Sequence, residues 1–200
     1  EVLNSNLSSS FDSTNIYVGR PISPHEAIKG VKGKKKYHQH AWLGLYFGKD
    51  QFDTVQFQAV LAPSATQKPV FSTGIYLDGL AKKTRPNILE LIKKQKDECF
   101  AVLKKLPSEY VVLVKNESKN LRKEWKISKL KEENMDVIMD ALAIRKTELK
   151  VARYFTRREA LDMKTAIVGE ISDTFEELLP LHRFLTGQNK EQITNDLDKK

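Results

Sequence analysis

Residues 54–61, TVQFQAVL, set the pattern from which the fold follows. Apolar side chains alternate here with two glutamines and a valine, so an extended chain would have one apolar side and one largely polar side. This alternation is typical of a strand in an antiparallel sheet with one face against the core and the other in water. Similar apolar runs lie on both sides of it, at residues 41–47 (AWLGLYF) and 70–77 (VFSTGIYL). Together the three runs predict a meander of antiparallel strands.

The rest of the chain predicts helices interspersed with further strands. Thr84-Arg85-Pro86 begins a long helix, because proline fits the first helical turn, and Pro107 ends it. Residues 156–159, TRRE, match a capping box, in which the threonine hydroxyl and the glutamate carboxylate satisfy free backbone donors. The other expected elements are strands at 110–114, 123–127 and 148–155, helices at 129–142 and 164–179, and a helical turn at 181–185 after Pro180. The predicted fold class is α/β in the broad sense, and more specifically α+β. It has an antiparallel or mixed central sheet flanked by helices.

Length and charge bound the domain organisation and the class of partner. The 200 residues carry a net charge of +8, with a sequence pI near 9.4. We expect a poorly structured lead-in at 1–30, a single DNA-binding domain at 31–187 and a charged tail or linker at 188–200. A strongly basic chain favours a polyanionic partner such as nucleic acid. With no long apolar run and no secretory signal pattern, we expect a cytoplasmic protein without a membrane partner.

Basic residues gather at three points, each beside the end of a predicted element. They are Lys34, Lys35 and Lys36 before the first strand of the meander, Lys82, Lys83 and Arg85 at the start of the long helix, and Arg157 and Arg158 at the capping box. Cationic side chains and free backbone N–H groups at element ends commonly meet phosphate oxygens. We therefore expect these residues to contact the phosphates of double-stranded DNA. The alternative for each cluster is a solvated surface without a ligand.

Motifs for catalysis and cofactor binding are largely missing from the sequence. There is no glycine-rich phosphate loop, no nucleophile elbow and only one cysteine, so no metal or other cofactor is expected. His38 and His40 would share a strand face, but no third metal ligand is apparent. Glu124-Trp125-Lys126 has the E-x-K form of restriction-type nucleases, in which carboxylates hold Mg²⁺ beside a lysine. A Mg²⁺-dependent nuclease is thus one alternative function, and a basic protein-interaction module without nucleic-acid binding is another.

The run HAWLGLYFGKDQFDTVQFQAVLAP, followed by STGIYLDG and a long helix, resembles the N-terminal DNA-recognition domain of McrB-type modification-dependent restriction GTPases. The resemblance covers residues 36–115. It implies an α/β domain that binds DNA carrying a modified, for example methylated, cytosine and flips that base into an aromatic pocket. By position, Trp42, Tyr46 and Tyr76 are the pocket candidates. The resemblance also implies that this chain is a specificity module cut from a larger protein and not an enzyme by itself, with cleavage left to motor and nuclease domains or subunits.

Trp42 and Tyr46 are four residues apart and therefore share one face of a strand. Rings on that face could stack with an unpaired base, or they could belong to the hydrophobic core. The lysines just before the strand favour the first interpretation, because cations beside flat rings suit nucleic acid. The sequence leaves both open.

Overall fold

The computed structural model describes residues 7, 9–11, 15–19, 41–47, 53–61 and 70–187. Its centre is one seven-stranded sheet in which every pair of neighbouring strands is antiparallel. In chain order the strands are β1 (Asn15–Gly19), β2 (Ala41–Tyr46), β3 (Val55–Leu61), β4 (Phe71–Leu77), β5 (Val111–Asn116), β6 (Leu121–Lys126) and β7 (Glu148–Phe155). In space the order is β1-β2-β3-β4-β7-β5-β6. The expected meander is confirmed by β2, β3 and β4, and the α+β class is confirmed with an antiparallel sheet.

The described residues form five α-helices. They are α1 (Thr84–Lys94), α2 (Lys96–Lys104), α3 (Glu133–Ala143), α4 (Arg157–Met163) and α5 (Ile167–Thr186). The capping box expected before α4 is present, because the Thr156 hydroxyl accepts from the Glu159 N–H and the Glu159 carboxylate accepts from the Thr156 N–H. The start of this helix was therefore readable from four residues of sequence.

Two helix predictions are wrong in detail. The single helix expected up to Pro107 is divided into α1 and α2 at Gln95, whose φ of −132° and ψ of 45° are not helical. No glycine or proline marks this position. The helix expected to end before Pro180 instead continues as α5 to Thr186. Proline removes one helical hydrogen bond, but Leu181 and Leu185 beyond it are buried, and their packing holds the helix together.

The register of the strands divides the sheet into two faces. One face, here called the helix face, is marked by a row of residues that pair across five adjacent strands. That row is Leu45, Phe57, Ile75, Val151 and Val112. The opposite side, which contributes to neither hydrophobic cluster of the described residues, is here called the open face, although Gln56, Ser72, Leu113 and Ala152 on it are buried. Its members are Trp42, Gly44 and Tyr46 of β2, Gln56, Gln58 and Val60 of β3, Ser72, Gly74 and Tyr76 of β4, Glu148, Lys150, Ala152 and Tyr154 of β7, Val111, Leu113 and Lys115 of β5, and Arg122, Glu124 and Lys126 of β6.

The helices pack on the helix face and form the core there. Phe57 of β3 and Phe175 of α5 are fully buried, with ring centroids 5.2 Å apart. Burial of each such ring stabilises the fold by about 1.5–3 kcal/mol. A smaller cluster of Phe71 and Phe155 packs against α4 and the start of α5. In the described part of the chain, neither hydrophobic cluster contains an open-face residue.

Two parts of the expected poorly structured lead-in at 1–30 have defined positions. Strand β1 pairs along β2, and Phe11 is only 4% exposed, with its ring centroid 5.1 Å from that of Phe57. The serine-rich composition hid these contacts, because β1 is held by backbone hydrogen bonds to β2 and Phe11 by a distant ring. The rest of 1–30, apart from residues 7, 9 and 10, lies outside the described residues, and so does the expected tail at 188–200.

Candidate nucleic-acid interface

The open face has a repeated pattern in which one small residue lies between two larger ones. The triplets are Trp42, Gly44 and Tyr46 on β2, Ser72, Gly74 and Tyr76 on β4, and Lys150, Ala152 and Tyr154 on β7. Gln58 pairs with both Gly44 and Gly74, and Gly74 also pairs with Ala152. The small residues thus form part of one row across the sheet. The rings lie on both sides of that row, which is a suitable layout for a flat ligand.

Gly74 is required where it lies. A Cβ atom there would be 2.2 Å from the Val151 carbonyl oxygen and 2.5 Å from the Ala152 Cα. Both contacts are with the backbone of β7, which cannot move aside without breaking the sheet. The close approach of β4 and β7 therefore depends on glycine.

The three pocket candidates all lie on the open face. Trp42, Tyr46 and Tyr76 are partly buried, while Leu45 between the first two is fully buried in the core. The sequence left open whether the face shared by Trp42 and Tyr46 belongs to the core. In the structure it is the face opposite the core. Tyr46 and Tyr76 both pair with Gln56 and so lie two strands apart, at about 10 Å.

Tyr76 is linked to an acidic side chain. Burial, together with the charge of Glu148 and a hydrogen bond to it, raises the pKa of Tyr76 well above its usual value. Burial also raises the pKa of the Glu148 carboxyl. Tyr76 therefore keeps its proton at any physiological pH, and its ring is oriented by Glu148.

Lys150 lies near the middle of the open face. Its Nζ donates to the Ser72 Oγ at 2.9 Å and lies 5.4 Å from the centroid of the Tyr154 ring. Burial lowers the pKa of Lys150 to about 8. The Tyr154 hydroxyl is buried and makes no hydrogen bond within the described part of the chain. Burial raises the pKa of Tyr154 to about 12, so this hydroxyl is neutral.

Two of the basic clusters border helix starts whose backbone donors are already occupied. Lys82 and Lys83 are exposed, but the N–H groups of Lys83 and Thr84 each donate to the Asp53 carboxylate at 3.0 Å. These hydrogen bonds, chiefly that from Thr84, lower the pKa of Asp53. Arg157 and Arg158 are exposed on α4, whose first turn is closed by the capping box. Phosphates at either place would meet side chains and not free helix N–H groups.

Arg85 has a structural role within the fold. Its Nη1 donates to the carbonyl oxygen of Leu142 and, at 3.3 Å, to that of Ile144. These carbonyls lie at the C-terminal end of α3, where backbone acceptors lack helical partners. Among the expected phosphate ligands, Arg85 is thus the one whose guanidinium is engaged by backbone.

The basic clusters do not converge on one point. Lys82 and Lys83 follow the C-terminal end of β4. Arg157 and Arg158 follow β7, whose last residue pairs with the first residue of β4. The two pairs are therefore at opposite ends of the sheet, about 20 Å apart along the strands. Lys34, Lys35 and Lys36 lie outside the described residues.

The E-x-K pattern lies on β6, at one edge of the sheet. Glu124 and Lys126 are exposed on the open face, and Glu124 forms an ion pair with Arg122 at 2.8 Å. Across the strand, Glu124 faces Leu113. No group of three potential metal-ligating side chains occurs among the described residues. The pattern thus has an arginine as its partner instead of a cluster of carboxylates.

Sequence reasoning missed Lys150, Ser72 and Tyr154 as site residues. A signal was present for two of them, because β7 alternates Leu149, Val151, Arg153 and Phe155 with Lys150, Ala152 and Tyr154. That alternation placed Lys150 and Tyr154 on the same face of the strand, opposite Leu149, Val151 and Phe155. No pattern joined them to Ser72, which lies 78 residues earlier.

No protein-family model matches this chain, and no curated protein matches it significantly. Within the described ranges, no helix has both the length and the apolar character needed to cross a membrane.

Proposed function

We propose that this chain is the DNA-binding specificity module of a modification-dependent restriction system. In this proposal it binds double-stranded DNA in the cytoplasm and accepts a flipped, modified cytosine among the rings of its open face. Motor and nuclease domains or subunits of the same system carry out cleavage, so the module itself is not an enzyme.

The observation that carries the proposal is the composition of the open face. Trp42, Tyr46, Tyr76 and Tyr154 lie on the side of the sheet that the hydrophobic clusters of the described residues do not use. Aromatic faces beside a row of small residues suit a base that has left the stack, since each base can stack on a ring. Flipping costs a few kcal/mol, which such stacking must offset.

The charge distribution supports a nucleic-acid partner. The chain has a net charge of +8, and Lys82, Lys83, Arg157 and Arg158 are exposed at the two ends of the sheet. A separation of about 20 Å corresponds to roughly six base pairs at 3.4 Å each. A duplex lying along the strands would meet both pairs, and the proposal requires its displaced base to extend from there to the open face.

The test is fluorescence anisotropy of labelled duplexes that differ only in one cytosine, which is unmodified, 5-methylated or 5-hydroxymethylated. We expect tighter binding to a modified duplex and a loss of affinity with increasing salt. Trp42→Ala removes a stacking partner and should weaken binding by about 1–3 kcal/mol, which is roughly 5- to 150-fold in Kd. Val137→Ala is the control, because Val137 is 38% exposed on α3, which carries none of the proposed DNA contacts.

Two results would contradict the proposal. Equal affinity for all three duplexes, with no effect of Trp42→Ala, would leave a DNA-binding module without base recognition. No salt-sensitive binding to any duplex would favour a protein-interaction module. The nuclease alternative has its own assay, since it requires cleavage of plasmid DNA with Mg²⁺ and loss of that cleavage in Glu124→Ala.

A further inference from the structure

We propose that Lys150, Ser72 and Tyr154 form a binding site for one phosphate group on the open face. The site differs from the basic clusters at the ends of the sheet. It rests on the proposed function in that the phosphate would belong to the nucleotide whose base stacks on the neighbouring rings.

The hydrogen-bonding groups of the site are mostly donors. The Lys150 ammonium has three N–H donors and uses one on Ser72 at 2.9 Å. Because the Ser72 oxygen accepts this bond, its own proton is available to a ligand. The Tyr154 hydroxyl has no partner within the described part of the chain, although it is buried. A ligand that brings only acceptors can satisfy all three groups.

The charge at the site favours an anion over a neutral carbonyl. Lys150 is partly buried, and among the described residues it has no carboxylate within ion-pair distance, although the charge of Glu148 acts on it from farther away. A buried ammonium is destabilised unless an opposite charge compensates it. Charge-assisted hydrogen bonds to phosphate oxygens are also about twice as strong as neutral ones. A phosphate oxygen would therefore relieve the cost of placing Lys150 there.

The pH response of the site depends on Lys150 and on the charged and titratable groups around it. Facing it are Tyr154 and Glu148 from its own strand, Tyr76 from β4 and Lys115 from β5, with Asp78 just beyond β4. The pKa of Tyr154 is about 12 and that of Tyr76 is higher than usual, so both tyrosines stay neutral. The pKa of Lys150 is about 8, so its charged fraction falls from about nine-tenths at pH 7 to about one-tenth at pH 9.

The first experiment measures duplex binding by anisotropy at pH 7 and pH 9 at constant salt. If the bound phosphate needs the charged lysine, affinity should fall about tenfold between these pH values. Lys150→Met should bind the duplex weakly at both pH values and lose this pH dependence. Lys150→Arg keeps the charge at pH 9 and should bind equally at both. Folding of each variant is checked by circular dichroism. If a Lys150 variant fails to fold, Ser72→Ala and Tyr154→Phe, which each remove one hydrogen-bond donor, take its place in the binding assay.

The second experiment separates this site from the proposed function. Lysine ¹³Cε resonances are followed by NMR from pH 6 to pH 11, and Lys150→Met identifies the resonance of interest. Inorganic phosphate should raise the pKa of Lys150 from about 8 by at least about one unit. If inorganic phosphate raises the pKa of Lys150 but the protein binds no duplex, the site binds free phosphate and the DNA proposal fails. If duplex binding and its pH profile are unchanged in Lys150→Met, the site is refuted while the DNA proposal stands.

Discussion

Acidification should destabilise the fold through one buried histidine, His182 of α5. The side chain is fully buried, its ring lies 4.7 Å from that of Phe57, and its Nε2 lies 3.2 Å from the Val55 carbonyl oxygen. Because that oxygen can only accept, the neutral ring carries its proton on Nε2. The Nδ1 atom is buried and has no partner within the described residues. A second proton on Nδ1 would thus create an unpaired charge in the core.

The sign and size of the effect follow from the pKa. Burial lowers the pKa of His182 from 6.5 to about 4, and Arg183 nearby acts in the same direction. The unfolded chain therefore takes up a proton first as the pH falls, so stability is lost between about pH 6.5 and pH 4. The full loss is about 3 kcal/mol, since one pKa unit equals about 1.4 kcal/mol. Between pH 7 and pH 5 we expect a loss of about 2 kcal/mol.

The assay is urea unfolding followed by tryptophan fluorescence at pH 7, 6 and 5, for the wild type and His182→Gln. Glutamine can place an amide N–H near Val55 and does not titrate. Contributions from Asp53, Glu148 and Glu170 are common to both proteins and cancel in the difference. The free energy of unfolding should fall by about 2 kcal/mol more in the wild type. Equal losses in both proteins would refute the reasoning.

Three further variants test how the sheet and helices are held. Thr156→Ala removes one half of the capping box and should lower the free energy of unfolding by about 1 kcal/mol in urea titrations, whereas Thr156→Ser should not. Gly74→Ala forces a methyl group against the backbone of β7 and should cost about 2 kcal/mol or more, seen as a lower Tm. Arg85→Met should destabilise by about 1–3 kcal/mol through the uncapped end of α3. If Arg85→Met instead kept full stability and weakened DNA binding, Arg85 would be a phosphate ligand and not a structural residue.

Local patterns in the sequence determined most of the secondary structure and the two faces of each strand. Alternation in residues 54–61 and 148–155 identified β3 and β7, and it put Lys150 and Tyr154 on the same face of β7. The capping box identified the start of α4 from residues 156–159. These features depend on neighbours within a few positions, so they can be read without knowing the fold.

Tertiary structure alone decided which residues meet. Inserting β7 between β4 and β5 brings Lys150 to Ser72 across 78 positions, and packing brings Arg85 to the end of α3 across 57. It also decided which face of β2 the helices cover, and so whether Trp42 lies in the core. Side-chain periodicity is the same on either face of a strand. Only the distribution of apolar area over the whole sheet selects the face that is buried, and that is a property of the assembled fold.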